Sequence, residues 1–190
     1  GGGTIASPEM PIHKSQNVYP MGSIEEILAW CDQEGKTLWE YVQDSESEDI
    51  WDYLDMIWKT MCETIDNGLN NDGVLPGGLK VARKACTYWV KSKEYGPNVS
   101  NRCQLYAYAL ATAEENASGG VVVTAPTCGS CGVLPAVLYH LSQVNDYRPI
   151  RIKRALATAG LFGNIAKTNA SISGAEAGCQ AEIGVACAMA

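Results

Sequence analysis

The chain has 190 residues, of which 46% are hydrophobic and 18% charged, and its formal net charge is −7. This balance is typical of a single globular domain with a sizeable core and excludes a disordered chain. The acidic charge argues against a nucleic-acid surface, since no basic cluster exceeds Arg151–Arg154. Neither a membrane-spanning apolar run nor a secretory signal pattern is visible, so we expect a cytoplasmic protein without membrane contact.

Both ends of the sequence indicate a piece of a longer protein. The chain opens on Gly1–Gly3 without a starting Met, and it stops at Ala190 inside an Ala-rich helical pattern. Residues 1–22, which contain three prolines, are predicted to form an extended N-terminal segment or linker. We expect residues 23–190 to form one domain that is truncated at its C-terminal end.

Helical signals fill the first third of the chain. Capping-box patterns begin at Ser23 and at Thr37, each with a Glu three residues later. Gly35 is expected to end the first helix. Apolar residues at helical spacing predict a third helix from about 47 to 66, and the Asn-Gly pair that finishes at Gly68 is expected to end it.

The remaining pattern is also mainly helical. Helices are predicted at about 80–93, 102–117, 133–144 and 150–167, and an Ala-rich helix closes the chain. Val121–Pro126 is the only β-type run, and because a lone strand cannot form a sheet we expect a buried extended segment. Gly160 and Gly163 are expected to allow close packing of their helix. The predicted fold is mainly α: a single all-helical domain with glycine-rich loops and at most a short strand near 121–126.

The eight cysteines fall into two groups of four. Without a secretory signal, they favour free thiols or metal ligands over a disulfide framework. Four lie inside helical patterns and are interpreted as small hydrophobic side chains: Cys31, Cys62, Cys86 and Cys103. The other four lie in or beside glycine-rich stretches and are the candidate functional residues: Cys128, Cys131, Cys179 and Cys187.

The pair Cys128 and Cys131, in TCGSCG, has three functional interpretations. A thioredoxin-type dithiol needs a βαβ unit, which this strand-poor pattern does not offer. A zinc site usually has two close pairs, whereas Cys179 and Cys187 are eight residues apart. An iron–sulfur cluster needs thiolates as ligands. The spacing of Cys179 and Cys187 is close to two helical turns, so both can face one side of a helix. A helix N-terminus would favour the thiolate form of Cys131. The spacing alone leaves these alternatives open.

Two long stretches, Glu114–Leu138 and Asn169–Ala190, closely resemble the catalytic α region of the bacterial iron–sulfur-dependent L-serine dehydratases. The stretch Gly68–Ala85 and the opening glycines are similar to the same family, so the resemblance covers nearly the whole chain. It implies an L-serine ammonia-lyase of amino-acid degradation. Such an enzyme converts L-serine to pyruvate and ammonia with a [4Fe–4S] cluster as Lewis acid.

The resemblance also implies site residues. Three cysteines of the family bind the cluster, and the matching positions here are Cys131, Cys179 and Cys187. Cys128 departs from the family pattern, which has a small polar residue there, and is an alternative or fourth ligand. The candidates for orienting the substrate carboxylate are Thr127, Asn169, Ser171 and Ser173. For these four, helix capping and turn chemistry are the competing explanation.

The general base is the weakest part of the pattern. Lys167 matches a lysine of the family and is the candidate, although a lysine in a last helical turn also stabilises the helix dipole. His140 ends a helical pattern, and His13 has no evident partner. The family also contains a β-type domain or subunit, which is an expected partner in a homo- or hetero-oligomer and an alternative source of the base.

Two other functions fit parts of the pattern. A pyridoxal-phosphate dehydratase would need a Schiff-base lysine and a phosphate loop on a sheet, and the chain is strand-poor. A non-catalytic metal-binding or redox-sensing module would use the same cysteines for zinc or a disulfide.

Overall fold

The computed structural model describes residues 18–190, and this part of the chain is α-helical without a β-strand. The helices are α1 Ile24–Glu34, α2 Leu38–Ser45, α3 Ile50–Asn70, α4 Ala85–Ser92, α5 Pro97–Ala117, α6 Val133–Val144, α7 Pro149–Asn169, α8 Gly174–Ala177 and α9 Cys179–Met189. A 3-10 turn, Cys128–Ser130, precedes α6. The predicted mainly α fold is confirmed.

Both predicted capping boxes are present. The Ser23 hydroxyl accepts a hydrogen bond from the Glu26 N–H at 3.2 Å, and the Glu26 carboxylate accepts one from the Ser23 N–H at 3.2 Å. Thr37 and Glu40 form the same reciprocal pair at the start of α2. Gly35 ends α1 at a φ of 63°, a left-handed conformation that favours glycine. Local sequence therefore determines the first two helices.

The predicted end of the third helix was wrong. α3 continues through Gly68 to Asn70. A Cβ atom at Gly68 would overlap the backbone carbonyl of Ala111 on α5. Glycine at this position therefore permits close contact between two helices instead of stopping one, a role that depends on a residue 43 positions away and has no local signal.

The helix predicted at 80–93 begins later, at Ala85. Residues 73–83 form a short hairpin-like loop with an isolated bridge between Val74 and Ala82. The Glu114 carboxylate then accepts hydrogen bonds from the Lys84 N–H at 2.6 Å and the Ala85 N–H at 3.2 Å. A side chain from α5 thus caps α4, and this fixes where α4 starts.

The second half of the chain follows the prediction more closely. α5 starts earlier than expected because Pro97 occupies its first turn, where proline is well tolerated. Residues 121–126 are extended and pair with no strand in the described part. Gly163 faces Met189 of α9, with its Cβ position 3.1 Å from Sδ, so close packing there is confirmed. Gly160 faces open space, so the same prediction for Gly160 was wrong.

A core rich in aromatic side chains joins the first three helices to α6 and α7. Its fully buried members include Ile27, Tyr41 and Met61, and tryptophans of α1, α2 and α3 pack around them. A smaller cluster, Ile65, Tyr108 and Ala136, joins α3, α5 and α6. None of the helices within residues 18–190 is long and apolar enough to cross a membrane.

The predicted N-terminal segment 1–22 falls largely outside the described residues, as does His13. The boundary between that segment and a domain at 23–190 stays a prediction.

Candidate functional site

Two glycine-rich segments, at the 3-10 turn and at α8, meet beside α9. The helix packs against the 3-10 turn, against α6, and against the short helix α8. Cys131 directly follows the turn, while Cys179 begins α9 and Cys187 lies two turns further along it. The fold therefore places the elements that carry all three predicted ligands next to one another, although about fifty residues of sequence separate them.

Cys131 is buried, with 1% of its surface exposed. Burial, together with the neighbouring Cys128 thiol and Glu182 carboxylate, raises the pKa of its thiol to about 11. The expected thiolate character from a helix N-terminus was wrong, because desolvation outweighs the backbone hydrogen bond that lowers the pKa. In this environment the Cys131 thiol is protonated near neutral pH.

The other candidate cysteines are exposed: Cys128, Cys179 and Cys187. The backbone carbonyl of Cys128 accepts a hydrogen bond from the Asn116 side chain at 3.1 Å, which ties the 3-10 turn to the end of α5. The cysteines in helical patterns are buried or partly buried, as expected of small hydrophobic side chains: Cys31, Cys62, Cys86 and Cys103.

The donor set and its placement on adjacent elements are suited to an iron–sulfur cluster, since thiols are its ligands. However, the side chains in the described residues do not form a complete metal site. Among residues 18–190, no group of three or more His, Cys, Asp or Glu side chains is arranged to hold a metal ion. Cluster binding would therefore require the three cysteine side chains to come closer together, and the ligand assignment stays a prediction.

Thr127 lies at the start of the 3-10 turn. Its hydroxyl is 3.3 Å from that of Ser130, which is buried and donates a hydrogen bond to the Ala125 carbonyl at 3.4 Å. Thr127 is thus the predicted substrate-binding residue that lies closest in sequence to Cys131, and its hydroxyl is held within the turn.

The other three predicted substrate-binding residues have hydrogen bonds within the chain. The Asn169 amide donates to the carbonyls of Gly22 at 2.7 Å and Ile165 at 3.0 Å. The Ser171 hydroxyl donates to the Glu176 carboxylate at 2.5 Å. The Ser173 hydroxyl accepts from the Ala175 N–H at 3.2 Å and caps α8. Turn and capping chemistry therefore accounts for these contacts, and their role towards a substrate stays a prediction.

Lys167 lies in the last turn of α7. It lines a cleft of about 450 Å³ between α7 and residues 18–22, together with Glu46. None of the four candidate cysteines lines this cleft. His140 packs near Tyr108 and has a buried Nδ1 without a hydrogen-bond partner in the described part of the chain. Burial lowers the pKa of its imidazole.

The Glu114–Glu115 pair of the first family-like stretch has a structural role. Glu114 caps α4, as described above, and Glu115 accepts hydrogen bonds from Arg83 and Asn71, both at 2.9 Å. The Arg83–Glu115 ion pair is buried. These contacts fix the loop 73–83 against the end of α5, from which the chain runs to the cysteine turn.

Glu182 lies beside the candidate site, and the sequence analysis did not single it out. It lies on the buried side of α9, is 9% exposed, and contacts both glycine-rich loops. A Cβ atom at Gly129 would lie 2.7 Å from its Oε1, and one at Gly174 would lie 2.7 Å from its Oε2. Helical spacing could have indicated the burial of Glu182, because Glu182 and Ala186 share one face of α9 and that face is buried.

An apolar groove of about 410 Å³ opens beside the 3-10 turn. Tyr88, Tyr106 and Ile183 contribute its larger exposed side chains, and Gly129 and Gly132 form its floor. A Cβ atom at Gly132 would lie 2.6 Å from the Ala109 carbonyl oxygen, so this floor lies directly on α5.

The comparisons with known proteins agree on one family. The profile of the family described as serine dehydratase alpha chain matches residues 14–190. The L-serine dehydratase of Haemophilus influenzae is 42% identical over 90% of this chain, and L-serine dehydratase 1 of Escherichia coli is 41% identical over the whole of this chain. The L-serine dehydratase of Streptomyces coelicolor is 40% identical over 90% of the chain.

These comparisons and the all-helical fold define the class of the protein. The chain belongs to the serine dehydratase alpha chain family. The predicted resemblance is thereby confirmed. The chain spans 40%, 45% and 39% of the lengths of the three relatives, so more than half of each relative has no counterpart in it.

Proposed function

We propose that the protein containing this chain is an L-serine ammonia-lyase, and that the chain supplies its catalytic α region. The observation that carries this proposal is family membership: relatives named L-serine dehydratase are about 40% identical to nearly the whole chain. The reaction removes the α-proton and the β-hydroxyl group of L-serine as water. The resulting enamine tautomerises to an imine, which water hydrolyses to pyruvate and ammonia.

We propose Cys131, Cys179 and Cys187 as the ligands of a [4Fe–4S] cluster. Their support is the family resemblance, the thiol chemistry of the set, and the packing of α9 against the 3-10 turn. A cluster with an open iron supplies Lewis acidity towards the hydroxyl group of a substrate. Cys128 remains the alternative ligand, because it neighbours Cys131 and is exposed.

The chain's own groups have roles in binding and exclusion of water. Thr127 and Ser130 present hydroxyls inside the turn, and Ser171 and Ser173 lie in the loop that contacts Glu182 through Gly174. We propose that these hydroxyls and the adjacent backbone N–H groups orient the substrate carboxylate. Lys167 is the chain's candidate base, but its cleft is separate from the cysteines. We therefore favour a base from outside this chain.

A β-type domain or subunit is the proposed partner. The groove beside the turn supports a covering partner, since Tyr106 and Ile183 leave apolar surface exposed next to the site. A part of the protein that covers this groove would exclude water from the cysteine turn and bring further side chains to it.

Anaerobic reconstitution with iron and sulfide tests the proposed function. The full-length protein should take up iron, gain broad visible absorption that bleaches in air, and form pyruvate only when L-serine is added. Cys131→Ser, Cys179→Ser and Cys187→Ser should each abolish iron uptake and activity. Cys128→Ser is the matched control, a serine substitution in the same loop that should retain both.

One outcome would overturn the proposal. A protein that takes up no iron, binds one zinc ion tightly and produces no pyruvate would instead be a non-catalytic metal-binding or redox-sensing module. Iron content, zinc content and pyruvate, measured on the same preparation, distinguish the two functions.

A further inference from the structure

Residues 18–190 contain three carboxylates that are at least nine-tenths buried: Glu114, Glu115 and Glu182. Glu114 accepts hydrogen bonds from two backbone N–H groups, and Glu115 accepts from Arg83 and Asn71. Glu182 differs from both. Within the described residues its carboxylate takes part in no ion pair and no side-chain hydrogen bond.

The surroundings of Glu182 explain why no partner from the chain reaches it. Its two carboxylate oxygens lie over Gly129 of the 3-10 turn and Gly174 at the start of α8, and neither glycine has a side chain to offer. Glycine at both positions is also required sterically, because a Cβ atom at either would come within 2.7 Å of a carboxylate oxygen. The carboxylate thus lies between two loops that contain no cationic side chain, and its oxygens keep some contact with solvent.

An unpaired carboxylate that is largely withdrawn from water is energetically unfavourable, unless an opposite charge or hydrogen-bond donors replace the lost solvent. The cost falls when a cationic ligand binds. The Glu182 carboxylate lies between the turn that precedes Cys131 and the loop that carries Ser171 and Ser173, so such a ligand would be held at the proposed site.

We propose that Glu182 binds the α-ammonium group of L-serine. This inference rests on the proposed function. The ammonium is the only cationic group of the substrate, and a charge-assisted hydrogen bond to a partly desolvated carboxylate is strong and directional. With the ammonium held by Glu182, the substrate carboxylate is left for the hydroxyls of the surrounding loops, and the substrate hydroxyl group for the cluster that the cysteines would hold.

This assignment gives Glu182 a role in selectivity. A site that holds an ammonium with a buried carboxylate rejects analogues that carry a hydroxyl group there, because the carboxylate would then stay buried without a counter-charge. The enzyme should therefore favour amino acids over the corresponding hydroxy acids.

Two ligands that cannot react measure this preference directly. L-Alanine keeps the ammonium of serine but lacks the β-hydroxyl leaving group, and L-lactate replaces the ammonium of alanine with a hydroxyl group. In titration calorimetry with the reconstituted full-length protein, L-alanine should bind at least about tenfold more tightly than L-lactate. Glu182→Gln keeps the shape of the side chain but removes its charge, and should reduce this ratio to about one.

The controls separate binding from folding. Glu63→Gln removes a carboxylate from the exposed face of α3 and should leave the alanine-to-lactate ratio unchanged. Glu182→Asp keeps the charge on a shorter side chain and should retain a weaker preference for alanine. Iron content and thermal unfolding, measured for every variant, identify any loss that arises from misfolding.

The two proposals fail in distinguishable ways. Wild-type protein that forms no pyruvate from L-serine would refute the proposed function. Active wild-type protein that binds L-alanine and L-lactate equally would refute the role of Glu182 without any variant. So would a Glu182→Gln variant that is folded, binds iron and keeps the wild-type ratio.

Discussion

Two helices of this protein, α3 and α9, differ in the side chains that they bury. α3 has 21 residues, and the side chains it buries include Leu54, Met61 and Ile65. α9 has 11 residues and buries Glu182 and Ala186. Both helices carry cysteine, but Cys62 of α3 is partly buried, whereas Cys179 and Cys187 of α9 are exposed.

The difference separates stability from function. Burying large apolar side chains contributes about 1.5–3 kcal/mol each, so α3 stabilises the fold. α9 buries Glu182 and Ala186 and packs against α7 as well as against α6, α8 and the 3-10 turn. It therefore leaves a carboxylate and thiols available for a ligand. We expect substitutions in the core around α3 to lower the stability of the protein, and substitutions in α9 to weaken ligand binding.

The largest expected effect on stability is from Met61→Ala. Met61 is 2% exposed, so the change should lower the free energy of unfolding by about 2–5 kcal/mol. Met56→Ala is the matched control, since Met56 lies on the same helix and is 54% exposed. It should change stability by no more than about 0.5 kcal/mol. Urea unfolding measures both; equal losses would contradict the assignment of α3 to the core.

A glycine-to-alanine pair compares the two helices directly. At Gly68 of α3 a Cβ atom overlaps the Ala111 carbonyl, so Gly68→Ala should destabilise the protein by about 1–3 kcal/mol. At Gly184 of α9 a Cβ atom meets nothing within 4 Å, so Gly184→Ala should stabilise it by about 0.5–1 kcal/mol. Thermal unfolding measures the opposite signs. Stabilisation by Gly68→Ala as well as by Gly184→Ala would show that α3 and α5 are not in close contact.

A further expected effect is a pH dependence carried by Cys62. Burial raises the pKa of its thiol from 9.0 to about 12, with Asp66 and Glu63 adding to the shift. Between these values the unfolded chain loses a proton that the folded chain keeps, so the stability contribution is complete below about pH 9 and is lost as pH rises towards 12. Urea unfolding from pH 8 to 10.5 should show the fall, and Cys62→Ala should make it shallower. If stability falls with pH equally steeply in the variant, the Cys62 thiol must be exposed to water in the folded protein.

The sequence predicted a structural feature correctly where the residues that determine the feature lie within a few positions of one another. The capping boxes at Ser23 and Thr37, the end of α1 at Gly35, and the position of α6 follow from side chains within a few positions. Gly68 and the start of α4 were predicted wrongly for one reason. Their conformations depend on Ala111 and Glu114 of α5, which helical periodicity does not report.

The candidate site also has features that the sequence identified and features that it did not. The sequence identified the candidate cysteines by residue type and setting, and the two family-like stretches by their residues. It did not identify Glu182, because a glutamate in a helix is usually solvated and only the packed loops show that this one is not. It also predicted the wrong protonation for Cys131, since a helix N-terminus is visible in sequence and burial is not.

The amino-acid sequence by itself determined the helical class of this protein, its family and the residues available as ligands. These properties depend on side-chain type and on short-range spacing. The tertiary structure alone decided that α9 lies against the 3-10 turn, that Glu182 is enclosed by Gly129 and Gly174, and that Lys167 lies in a different cleft. Burial and close approach arise from residues far apart in the chain, and a charged group changes its chemistry when the folded protein removes it from water.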